Sequence, residues 1–272
     1  MPGFPLYPDV YNETRTQPMR MLTSLLIMIF LTSGAQATAA ERVTVFAAAS
    51  LTEAVEEIGA SYRKEAGTEV VFSFAASSVL SRQVEAGAPA DLIALASPDW
   101  ADYLAERGLI LPETRVDPIG NRLAVIAPPG STVALPDPPT AAAFRAALGA
   151  DGRLAIGDPA HVPAGIYARQ ALESLGLWQD LESRLAFAGD VRGAMALVER
   201  GEAPLGIVYA TDLRAVPAVR LVALLPENSH APIAYPFAVV AGGNTEAAKR
   251  FLQYLTGQAG LAVFARHGFL VR

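Results

Sequence analysis

The chain has 272 residues, 52% of them hydrophobic and none of them cysteine, with 27 acidic against 21 basic side chains. That length and apolar content suit a packed protein of two lobes or one large α/β unit. The absence of cysteine excludes disulfides, thiolate metal sites and a cysteine nucleophile, and a net charge of -6 without a basic run argues against nucleic acid or an anionic membrane as partner.

Residues 1–39 read as an N-terminal extension plus a secretory signal peptide. Arg20 precedes the apolar run LTSLLIMIFL (22–31), which is short for a membrane span. The small-x-small patterns Ala35-Gln36-Ala37 and Ala37-Thr38-Ala39 place cleavage near Ala37 or Ala39. Met1, Met19 and Met21 are all candidate starts, and Met19 keeps Arg20 ahead of the apolar run. No cysteine stands at the cleavage site, so no lipid anchor is expected, and the mature protein is expected in the periplasm.

Beyond residue 41, strands alternate with helices. Residues 43–47 predict a buried strand. Leu51, Ala54, Val55, Ile58 and Tyr62 share one helical face, which Gly67 ends. A strand over 69–75, a short helix over 79–86, a strand over 91–96 and a helix opened by Ser97-Pro98-Asp99 follow. Residues 121–130 predict a strand that runs into Pro128-Pro129-Gly130, and the proline-rich STVALPDPPT after it marks a crossing between lobes. A helix over 141–148 and a second α/β series come next, with strands near 153–157, 185–188 and 205–209 and helices over 165–175 and 191–200. The stretch PENSHAPIAYP (226–236) marks the return crossing, and helices over 246–255 and 260–266 close the chain. The expected division is residues 40–122 with 230–272 as lobe 1 and 123–229 as lobe 2. Such alternation predicts mainly parallel sheets flanked by helices.

Four junctions carry the chemistry. FAAAS (46–50) joins a strand to a helix through small residues and stops on Ser50. Ser50-Leu51-Thr52-Glu53 fits a capping box, so the serine reads either as a cap or as part of a pocket. FAASS (74–78) repeats the device around Ser77, and GDPAHVPAGIY and AGDVRGA supply two more helix starts in the second series. Helix N-termini present free amides and a positive dipole end, so several that converge form an anion site. Enzyme motifs fare worse. No G-x-S-x-G, G-x-G-x-x-G or P-loop pattern occurs, and His161, His230 and His267 lack metal-ligand spacing. Asp158 and Asp190, each just before a helix start, read as caps.

The blocks VTVFAAASLTEAV, FSFAASSVLSRQVEAGAPADL, GRLAIGDPAHVPAGIYARQAL, DVRGAMALVERGEAPLGIVYATD and FARHGFLV resemble the periplasmic molybdate-binding proteins of ABC transporters, over residues 42–272. The resemblance implies a two-lobed periplasmic-binding-protein fold of type II with a hinged cleft. It implies a non-enzymatic receptor, a monomer without cofactor, that captures molybdate or tungstate and hands it to an inner-membrane permease and its ATPase. Matched motif to motif, it puts the oxyanion contacts on Ser50, Ser77, Ala164, Val191 and Tyr209. The first four fall on the junctions above, whereas Tyr209 comes from the resemblance alone. Two other readings stay open: a receptor for another tetrahedral oxyanion such as sulfate, and a hydrolase using Ser50 or Ser77.

Overall fold

The computed structural model describes residues 41–272. The extension and signal peptide expected over 1–39 lie outside the described residues. Two sheets organise the rest.

The first half begins β1 (Arg42–Ala48), α1 (Thr52–Ala66), β2 (Glu69–Ala75), α2 (Ser77–Glu85), β3 (Leu92–Ala94), α3 (Pro98–Glu106) and β4 (Val116–Gly120). The chain then builds β5 (Leu123–Ala127), α4 (Ala141–Leu148), β6 (Leu154–Gly157), α5 (Pro163–Ser174), α6 (Trp178–Leu181), β7 (Leu185–Ala188), α7 (Val191–Glu199), β8 (Leu205–Tyr209) and β9 (Arg220–Leu224). It returns for β10 (Ala234–Val239), α8 (Thr245–Thr256), α9 (Gln258–Arg266) and β11 (Leu270–Val271). The six-stranded sheet runs β11-β4-β10-β3-β1-β2 and the five-stranded sheet β7-β6-β8-β5-β9.

The local reasons are ordinary ones. β1 is rich in β-branched and apolar residues, is almost wholly buried, and pairs in parallel with β2 on one side and β3 on the other. α1 turns Ala54, Val55, Ile58 and Tyr62 into the core and ends at Gly67, whose φ of 71° is the left-handed conformation that glycine adopts without strain.

Three features differ from the sequence expectation. The sheets are mixed rather than mainly parallel: β10 runs antiparallel to β3 and β4, and β5 antiparallel to β8 and β9. Segments that cross between the sheets enter against the local strand direction, which alternation of strands and helices does not reveal. The outward crossing is the pair Asn121 and Arg122, between β4 and β5, and the proline-rich stretch after β5 lies wholly past it. Finally, β10 begins within the stretch read as a return crossing. Pro236 has no N–H for the ladder, and the β10–β4 register shifts between Tyr235 and Phe237, so the strand lacks the uninterrupted signature of its neighbours. Among the described residues no helix is long and apolar enough to cross a membrane.

Candidate functional site

Parallel strands that share one sheet send their following helices off from the same end. Here β1, β2, β6 and β7 each release the chain into a helical start at the cleft between the two sheets. Ser50, Ser77, Ala164, Val191 and Tyr209 all line one small cavity there. Ala48, Ala49, Ala75, Ala76 and Ala96 complete much of its wall, and their short side chains leave the backbone accessible.

Each functional group has a local cause. Ser50 sits in a 3-10 turn over Ala49–Leu51, ahead of α1. Its hydroxyl makes no capping bond, so the capping-box reading fails; instead Oγ lies 3.1 Å from Tyr235 Oη. Ser77 is the first residue of α2, fully buried, and its Oγ accepts the Ala96 N–H at 2.9 Å. Ala164 and Val191 stand in the first turns of α5 and α7, where amides have no carbonyl partner inside the helix. Asp190 caps α7, accepting the Gly193 N–H at 2.8 Å, as its position before the helix predicts. Asp158 instead closes a tight turn by accepting the Ala160 N–H, and the residue ahead of α5 is Val162. α5 reaches the cleft because Gly165 has no side chain: a Cβ there would stand 2.0 Å from the Gly157 carbonyl oxygen.

The cavity is lined by neutral hydroxyls and amides, with one carboxylate and no cationic side chain. Among the residues lining the cavity, Asp190 is the one with an acidic or basic side chain, and its Oδ1 accepts the Gly193 N–H. Tyr209 is 1% exposed, and its Oη has no hydrogen-bond partner among the described residues. Burial pushes its pKa well above the usual tyrosine value, so the phenol keeps its proton. No cluster of three or more His, Asp or Glu side chains fit to hold a metal ion occurs among the described residues.

The histidines do not serve the two cavity serines. His161 Nδ1 lies 3.0 Å from Ser78 Oγ, and its Nε2 is 3.8 Å from Asp158, beyond hydrogen-bond reach. Ser78 does not line the cavity. His267 pairs with Glu57 at 2.8 Å, and His230 Nδ1 lies 2.8 Å from the Ala231 carbonyl oxygen.

Several residues around the site escaped sequence reasoning. Tyr235 and Asn121 stand behind Ser50: Asn121 Nδ2 donates to Tyr235 Oη at 3.1 Å and to Thr211 Oγ1 at 2.8 Å. Tyr235 lies in a proline-flanked stretch, and Asn121 in a two-residue link, so neither carries a motif. Arg192, beside Val191, reaches across the cleft to Glu53 of α1 with two bonds of 2.8 and 2.6 Å. Its Nε lies 2.8 Å from Asp212 Oδ1, close enough to pair as ions but off the line of a hydrogen bond. On the other flank, Trp100 Nε1 donates to the His161 carbonyl at 3.1 Å.

Residues 43–270 match the family described as bacterial extracellular solute-binding protein. The chain is 49% identical to the molybdate-binding protein ModA of Escherichia coli over 85% of this chain and 90% of that protein. It is 45% identical to ModA of Haemophilus influenzae over 92% of this chain and 99% of that protein. Among solved structures, the periplasmic molybdate-binding protein of Azotobacter vinelandii superposes with a TM-score of 0.74 at 24% identity, covering 85% of this chain and 99% of that one. The sulfate-binding protein SubI of Mycobacterium tuberculosis superposes with a TM-score of 0.69 at 19% identity, over 84% of this chain and 86% of that one. Both superpositions identify the two-lobed periplasmic-binding-protein fold of type II. This chain belongs to the family of bacterial extracellular solute-binding proteins, in the company of the molybdate-binding ModA proteins.

Proposed function

We propose that this protein is a periplasmic receptor that captures molybdate, and tungstate alike, between its two lobes and delivers it to an ABC permease driven by an ATPase. Residues 40–122 with 230–272 form one lobe and 123–229 the other, and the protein acts as a monomer without cofactor. The oxyanion is held by the hydroxyls of Ser50, Ser77 and Tyr209 and by the amides of Ala164 and Val191. The observation that carries this reading is the convergence of three buried hydroxyls and two helix starts on a cavity with no cationic side chain. A dianion there is met by dipoles in a water-poor site, where hydrogen bonds to charge are strong. Long-range attraction does not supply the affinity, because the protein is acidic overall. Against a hydrolase stand the partners of the serines, a tyrosine hydroxyl and a backbone amide rather than an imidazole.

Selectivity follows from the same donors. Hydrogen phosphate carries a proton that needs an acceptor, and a donor facing that O–H leaves an unpaired contact. Sulfate has the right charge but shorter bonds, so some donors fall out of reach. Competition calorimetry at neutral pH is expected to rank molybdate and tungstate together, then sulfate, then phosphate. Sulfate binding as tightly as molybdate moves the assignment to a general oxyanion receptor, and phosphate binding as tightly sinks the donor account.

A further inference from the structure

The hydrogen bonds behind Ser50 run in one direction, from Asn121 through Tyr235. Asn121 Oδ1 accepts the Arg122 N–H at 2.9 Å, and flipping the amide would set two donors face to face. Its Nδ2 therefore faces Thr211 and Tyr235 and donates to both. Tyr235 Oη, fully buried, thus accepts a hydrogen bond from Asn121 and must donate its own proton to another acceptor. Ser50 Oγ, 3.1 Å away, is the acceptor in reach. The reverse assignment leaves a buried tyrosine O–H unpaired, which is costly. Burial also raises the Tyr235 pKa far above the usual value, so the proton is present throughout the physiological range.

We infer that Tyr235 is a positioning residue: the relay Asn121→Tyr235→Ser50 fills a lone pair of Ser50 and turns its hydroxyl proton into the cavity, committing Ser50 to donate to an unprotonated oxyanion. The inference rests on the reading of Ser50 as an oxyanion contact. Ser77 is committed in the same way by a different donor, the Ala96 N–H. The two serines of the first half thereby present protons, and Tyr235 sets selectivity without touching the ligand.

The test uses Tyr235→Phe, Ser50→Ala and the double variant, each titrated calorimetrically with molybdate and with phosphate at neutral pH. Tyr235→Phe keeps the ring and frees a lone pair of Ser50. It is expected to weaken molybdate about tenfold, the scale of one hydrogen bond to a charged group. Phosphate is expected to weaken less, because Ser50 can then turn and accept its proton, so the molybdate-to-phosphate ratio narrows. A purely structural defect would lower both alike. In the Ser50→Ala background the Tyr235→Phe effect is expected to vanish. Wild-type molybdate affinity in Tyr235→Phe beside a weakened Ser50→Ala overturns the relay alone. So do losses that add in the double variant, or an unchanged ratio. Wild-type affinity in Ser50→Ala overturns the contact reading and the relay with it. If Tyr235→Phe proves too unstable to titrate, Asn121→Leu removes the first donor and is expected to narrow the ratio in the same sense; an unchanged ratio there counts against the relay.

Discussion

Tyr209 separates the demands of binding from those of folding. Its phenol is buried without a partner, and that is an expense the fold carries unless a ligand oxygen meets it. Tyr209→Phe removes the unmatched group and keeps the ring against Tyr235, whose centroid lies 6.0 Å away. We expect the unliganded variant to melt at or above the wild-type temperature, since deleting an unpaired polar group relieves desolvation. Molybdate affinity is expected to fall by about 1.5–3 kcal/mol, the range for a hydrogen bond to a charged group. Opposite signs in a thermal melt and a titration are the signature. A lower melting temperature with unchanged affinity would make Tyr209 a packing residue only. Ser50 behaves differently, because its hydroxyl already has a partner in Tyr235. Ser50→Asp would bury a carboxylate at a position 3% exposed, so it damages folding as well as binding.

Helix starts, rather than long side chains, build the site, so element placement matters as much as residue identity. α5 is the sharpest case. Gly165 rests directly on the Gly157 carbonyl at the end of β6, which brings the Ala164 amide to the cavity. Gly165→Ala pushes the helix start away from the strand. Overpacking of this kind costs about 1–3 kcal/mol, and binding should weaken too, because the Ala164 amide moves with the helix. Chemical denaturation and a molybdate titration check both halves, and a variant as stable as the wild type would mean that the backbone contact is slack. The four junctions were legible in the sequence because small residues between an apolar run and a helical pattern leave a plain mark. What stayed hidden has physical reasons. Pro236 interrupts β10 and masks Tyr235 as a strand residue. Asn121 acts through three-dimensional partners at positions 122, 211 and 235, which no local spacing encodes. The role of Ser50 was ambiguous because a capping box and an accessible hydroxyl share one pattern, and only the Tyr235 contact separates them.

At the scale of the whole molecule, the cleft is flanked by two sets of contacts that join the halves: Glu53 with Arg192 on one side, and Ser78 and Trp100 with His161 on the other. Such contacts exist only when the halves approach, so they bias any opening equilibrium toward closure, and a ligand bridging both halves adds to that bias. The Arg192 pair is arranged to allow this. Asp212, buried on the same half as Arg192, stays beside the guanidinium whether or not Glu53 is in reach. Burial pushes the Asp212 carboxyl up to about 7, with the charge of Arg192 and the Tyr209 amide opposing the rise. Glu53→Gln removes the charge but keeps a carbonyl oxygen that can accept from Arg192, so it weakens the bridge without deleting it. Glu53 is partly exposed, so the bridge is worth no more than about 1 kcal/mol, and molybdate affinity should fall by roughly two- to fivefold. The change should appear mainly as faster release and should shrink in high salt. Scattering should show compaction of the wild type with molybdate, and a higher ligand concentration needed for it in the variant. The pH dependence has a definite sign. Burial opposes ionisation of Glu53, and the hydrogen bonds and charge of Arg192 override it, so the carboxyl titrates below its ordinary value of 4.5. The stability difference between wild type and Glu53→Gln should then be complete above that value and vanish as pH falls through the lowered pKa. Thermal unfolding from neutral pH down into the acid range measures it. A difference that instead grows on acidification, or a variant that releases molybdate at the wild-type rate, would remove the Glu53–Arg192 pair from the closing mechanism.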